Sequence, residues 1–156
     1  MAVSIKIGHV MRHYGVRGLS SSLISLDDAD HVILHRQPPN ENGVYKPEVT
    51  VVLCNTGSLY IGIYVALGED GKYYTDYDIE TPTGGSSGYP SKGRGKARTL
   101  SQALRMECEK LKEYRLYQGC KPDKRICAIA EDAIQKINAK CVRLMTIFDI
   151  LGDETI

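Results

Sequence analysis

The sequence predicts an α+β domain: an antiparallel sheet of about five to six strands in the N-terminal two-thirds, then a C-terminal helical hairpin packed on one sheet face. Three observations predict it. β-rich alternating segments dominate residues 1–80, a Gly/Ser/basic run fills 81–98, and capped apolar stripes with helical spacing follow from 99 to 149, leaving 150–156 as a tail. A chain of 156 residues with 42% hydrophobic and 25% charged side chains has the size and composition of a single folded domain rather than of a disordered segment.

Val3, Ile5 and Ile7 alternate with Ser4 and Lys6, which reads as a short half-buried strand. Residues 23–26 and 31–34 are apolar runs flanking Asp27, Asp28, Ala29 and Asp30, the pattern of a hairpin with a four-residue acidic loop. The run from Pro38 to Gly43 interrupts regular structure. Segments 49–53, 59–67 and 72–79 then read as a three-stranded antiparallel meander, because each is rich in β-formers and turn residues separate them. In the middle strand Leu59, Ile61, Ile63, Val65 and Leu67 share one face, and Tyr60, Gly62, Tyr64 and Ala66 share the other.

Residues 81–98 hold five Gly, two Pro and three Ser, a composition that predicts a long mobile loop. Thr99 and Gln102 match a capping box, and the helix they open is expected to run to Gln118, with Gly119 as its stop. Asp123 is placed to cap a second helix reaching Asp149. Along it Cys127, Ile134, Cys141 and Phe148 recur every seven residues, as do Ala130, Ile137, Leu144 and Leu151. That seam suits packing on the sheet, and a helix of this length can also pair with a second copy to form a homodimer.

No run approaches the ~18 apolar residues a membrane helix needs, and the N-terminus lacks the apolar core of a secretory signal. A soluble, cytoplasmic protein is expected. The five cysteines, at 54, 108, 120, 127 and 141, include no Cys-x-x-Cys pair, so free thiols are expected rather than a zinc site or a disulfide framework. No cofactor is implied.

The net charge of +1 conceals a division. Residues 1–91 carry 6 basic and 10 acidic side chains, and residues 92–156 carry 14 and 9. Within 92–125 there are 11 basic against 4 acidic residues, a density that attracts nucleic acid or an acidic protein surface. Lys92, Arg94, Lys96 and Arg98 alternate with small residues and lead into the Thr99 helix start, where backbone N–H groups and the helix dipole also favour phosphate. The run is not a Walker loop, since Ala97 follows Gly95-Lys96 and Pro90 stands where the first glycine should be. Arg105, Lys112 and Arg115 extend the basic side along the helix, and Tyr60 and Tyr64 form a platform on which bases could stack.

Two other constellations bear on chemistry. Asp76, Asp78 and Glu80 alternate on one side of a strand and could hold Mg²⁺, although edge strands also carry charge to discourage pairing. His9/His13 and His31/His35 have a spacing that brings two imidazoles together only on a helix. The apolar residues between His31 and His35 favour a strand, where i and i+4 lie ~13 Å apart. No catalytic motif is complete. The leading expectation is a small non-enzymatic protein that binds nucleic acid or another polyanion through the basic loop and helix. A protein–protein interaction or inhibitor module acting on a partner enzyme is the alternative, and a Mg²⁺-dependent phosphodiesterase the third.

Overall fold

The computed structural model describes residues 21–117 and 119–155, with side chains to residue 142. The strand expected at Val3–Ile7 and the His9/His13 pair lie outside the described residues, as do the side chains of Leu144, Phe148 and Leu151. The α+β class holds. Elements run β1 (Ser22–Ser25), a 3-10 turn (Asp27–His31), β2 (Arg36–Gln37), β3 (Val49–Asn55), β4 (Tyr60–Gly68), β5 (Tyr73–Thr81), β6 (Gly84–Ser87), β7 (Gly95–Ala97), α1 (Leu100–Lys112) and α2 (Lys124–Thr155).

The β3-β4-β5 meander forms as expected, with Val51 opposite Ile63 and Ile63 opposite Tyr77. Gly57 and Gly71 supply the positive φ that its two turns require. The sheet as a whole is mixed rather than antiparallel, because β1 pairs parallel with β3 and β2 parallel with β4. The hairpin expected around Asp27–Asp30 does not form. Those residues make a 3-10 turn with Ala29 buried, and Lys140 of α2 donates to the Leu26 carbonyl at 3.0 Å and lies 2.9 Å from Asp30 Oδ2. A cation from the far end of the chain thus satisfies the acidic turn, which no local pattern could announce.

Ile61, Ile63 and Val65 of β4 join Val49, Val51 and Ile79 in a core closed by Leu104, Cys108 and Leu111 of α1 and by Ile126, Ala130, Ala133 and Ile137 of α2. Both helix starts are capped: Thr99 Oγ1 accepts from the Gln102 amide at 3.1 Å, and Asp123 Oδ1 accepts from the Arg125 and Ile126 amides. α1 ends at Lys112, short of Gln118. The turn beyond it closes through Tyr114, whose amide donates to the Leu111 carbonyl and whose carbonyl accepts from the Asp123 amide. α2 continues past Asp149 to Thr155.

The opposite sheet face is also closed. Tyr60 and Tyr64 are fully buried and pack with Leu23 and Val52, so they offer no stacking platform. Tyr64 donates its hydroxyl to Asp78 Oδ2 at 3.1 Å, and Tyr45 stacks on Tyr74 with ring centroids 4.3 Å apart. Gly62 belongs to this packing: a Cβ there would fall well inside contact distance of the Tyr60 hydroxyl and 2.9 Å from Thr50 Cγ2.

The segment 81–98 is not one long loop. β6 and β7 both pair antiparallel with β5, occupying successive halves of its outer edge. Some of the glycines that suggested a loop, Gly85 and Gly95 among them, are needed there for close approach. A Cβ at Gly85 would collide with the Ile79 carbonyl, and one at Gly95 would lie 2.6 Å from Glu107 Oε1. Between the two strands the chain is fastened to residues 43–45, through the Tyr45 amide on the Pro90 carbonyl at 2.8 Å and the Lys92 amide on the Gly43 carbonyl at 3.0 Å.

Two glycine substitutions test this packing. Gly62→Ala should destabilise the fold by about 1–3 kcal/mol through overpacking, whereas Gly93→Ala, with nothing within 4 Å of the added atom, should change stability by less than about 0.5 kcal/mol. Urea unfolding of both variants checks the contrast.

Candidate functional site

Where β6 gives way to β7, the outer edge of β5 is left unpaired at Asp76 and Tyr77, and α1 passes alongside. A groove of about 870 Å³ opens there. Its walls bring together Arg94 and Lys96 from β7 and its approach, Lys110 from α1, and Arg115 from the turn after α1. Asp76, Tyr77, Met106, Glu113 and Tyr114 complete the lining, with the Tyr77 and Tyr114 rings edge to face at 5.7 Å.

Local rules explain how each cation arrives. In β7 the buried Gly95 and Ala97 face inward, so the alternating Arg94, Lys96 and Arg98 point outward. On α1, Met106, Lys110 and Glu113 follow i, i+4, i+7 spacing and form one stripe. Arg105 and Lys112, seven apart, lie on a different stripe of that helix, away from the groove, and Lys112 is 3.5 Å from Glu109. Of the residues nominated from sequence, the structure therefore gathers Arg94, Lys96 and Arg115 and adds Lys110, which sequence reasoning passed over. Lys92, Arg98, Arg105 and Lys112 are outside the groove, and Tyr60 and Tyr64 are in the core.

The 11 cations of residues 92–125 do not form an unbroken field. Arg94 faces Asp76 at 3.7 Å, Lys110 faces Glu107 at 3.1 Å, Lys112 faces Glu109, and Arg125 faces Asp123 at 4.0 Å. Arg115 donates to the Cys120 carbonyl at 2.8 Å, which holds its guanidinium at the end of the groove.

Two buried carboxylates underlie the site. Glu107 is fully buried; its Oε1 accepts from Thr75 Oγ1 at 3.0 Å and from Lys110 Nζ at 3.1 Å. Burial pushes its carboxyl above the ordinary 4.5, against the lowering effect of Lys110 and Thr75. Asp76, on the other face of β5, is 4% exposed; its Oδ1 accepts from the Tyr77 amide at 2.8 Å. Burial likewise raises its pKa, opposed by that amide, Arg94 and Lys110.

Asp76, Asp78 and Glu80 were candidates for Mg²⁺ on an exposed strand edge. β5 is instead paired on both sides at Asp78 and Glu80, Asp78 is fully buried and bonded by Tyr64, and Asp76, at the gap in the outer edge, faces Arg94. Among the described residues no group of three or more His, Cys, Asp or Glu is placed to hold a metal ion. His31 ends the 3-10 turn. His35 bonds Glu48 twice, by Nδ1 at 2.5 Å to Oε1 and by its amide at 2.9 Å to Oε2. All five cysteines are free, and burial pushes the Cys108 thiol up to about 12. No helix among the described residues is long and apolar enough to cross a membrane.

Comparison with known protein families, curated proteins and solved structures finds no match to this chain.

The raised pKa of Glu107 fixes a sign. A carboxyl whose folded pKa lies above its unfolded value binds its proton more tightly in the native state, so its stabilising contribution is present below about pH 4.5 and is lost as pH rises through the folded value. Glu107→Gln keeps an acceptor for Thr75 and removes the titration. The stability difference, wild type minus variant, should fall as pH is raised from about 4.5 through the folded pKa and level off above it, measured by urea unfolding at each pH. A difference that stays flat would show that Glu107 is not held in this environment.

Proposed function

We infer that this protein is a non-catalytic binder of nucleic acid that holds the sugar–phosphate backbone along the groove between β7 and α1. The observation that carries the reading is the convergence of Arg94, Lys96, Lys110 and Arg115, drawn from three separate pieces of chain, on one open groove. Cations that merely keep a surface soluble have no reason to converge. Four of them around a concave wall concentrate the field where a phosphate chain would lie, and Coulomb attraction to phosphate is the dominant, sequence-independent part of nucleic-acid affinity.

The tie between Arg94 and Asp76 is compatible with this role. At 3.7 Å it is longer than a hydrogen bond, and the arginine side chain is 62% exposed, so a phosphate can compete for its guanidinium at little loss. Tyr114 and Tyr77 add aromatic surface beside the cations, the combination that single-strand grooves use.

The test is salt-dependent anisotropy of a labelled single-stranded oligonucleotide. Affinity should fall with salt at a log–log slope of about −3, the value four phosphate contacts give on a single strand. Arg94→Gln combined with Lys96→Gln should cut that slope by about half. No binding at about 50 mM salt, or a slope unaffected by the double substitution, overturns the reading.

A further inference from the structure

The groove contains a group that phosphate binding does not use. Asp76 lines it, yet a carboxylate repels phosphate, and nothing in a backbone-only interface calls for a buried anion among four cations. Its Oδ1 is occupied by the Tyr77 amide, whereas Oδ2 receives no hydrogen bond, and Arg94 Nε stands off at 3.7 Å. Oδ2 is held in a fixed place, because it lies against Gly88 so closely that a Cβ on that residue would overlap it. A buried acceptor with no hydrogen bond, its nearest cation 3.7 Å away, is costly to keep, and a donor supplied by a ligand would complete it.

We propose that Asp76 reads the amino face of one unpaired base, accepting at Oδ2 a hydrogen bond from an exocyclic N–H₂ while Lys96, Lys110 and Arg115 hold the adjoining phosphates. The inference rests on the nucleic-acid reading above and narrows it to a single-stranded ligand with a preferred base.

The chemistry selects among the bases. Cytosine presents an N4 amino donor where uracil presents the O4 acceptor, so a carboxylate attracts the first and repels the second. Asp76 is recessed to 4% exposure at a gap in the sheet edge, so the edge of a stacked, paired base does not reach it; a base splayed out of a single strand does. Arg94 is the movable cover. Its exposed guanidinium can swing from Asp76 to stack over the inserted base, with Tyr114 and Tyr77 close by, an arrangement that arginine and tyrosine both favour with unstacked bases.

Two RNA homopolymers of equal length, oligo(C) and oligo(U), carry the same charge and differ at the C4 substituent and N3, so they separate base reading from phosphate binding. In anisotropy titrations at one salt concentration, wild-type protein should bind oligo(C) about tenfold more tightly than oligo(U). Asp76→Asn, checked for an unchanged thermal melt, should abolish that preference while keeping the salt slope. The wild-type comparison needs no variant, so it stands even if the substitution impairs folding. Equal affinities for the two homopolymers, or a preference that survives in Asp76→Asn, overturn the base reading and leave the phosphate reading intact. Failure to bind either homopolymer at low salt overturns both.

Discussion

One oxygen atom fixes the spacing on which the groove depends. Glu107 Oε1 takes the Thr75 hydroxyl from β5 and the Lys110 ammonium from its own helix, and Gly95 of β7 leaves no room for a side chain between them. Helix, central strand and edge strand meet there. Desolvating the carboxylate offsets much of what its pairing with Lys110 contributes, so what the contact supplies is position rather than net stability. The width of the groove, and the direction in which Lys110 and Arg94 project, follow from that junction.

What could be read from the sequence was what neighbouring residues decide among themselves. The meander followed from alternation and turn glycines, and both helix starts followed from Thr99 and Asp123. What escaped was set by distant parts of the chain. Alternation places Tyr60 and Tyr64 on a common face but is silent on whether that face is covered, and it is. The glycines of 81–98 looked like flexibility because composition cannot distinguish a residue chosen for freedom from one chosen for thinness. Gly85 and Gly95 are of the second kind.

The candidate site was legible as a density and not as a shape. Residues 92–98 were marked by their cations, and Arg94 and Lys96 do reach the groove, yet helical phase decides which of the α1 cations can join them. Lys110 does, whereas Arg105 and Lys112 lie on another stripe. Asp76 drew attention as a carboxylate beside others, but its neighbours turned out to be Arg94 and Gly88. A groove with anionic and cationic groups interleaved gives up some attraction for phosphate and gains the ability to discriminate, since a ligand must match both signs.

The bond from Lys140 to the carbonyl of Leu26 spans 114 residues, and the parallel partner of β1 follows a connection of more than twenty. On a ribosome, which extrudes a chain from its N-terminus at roughly 5–20 residues per second, the acidic turn emerges well ahead of the cation that satisfies it. Closure of the acidic turn on its cation therefore cannot precede synthesis of α2, whatever other contacts of the sheet form earlier.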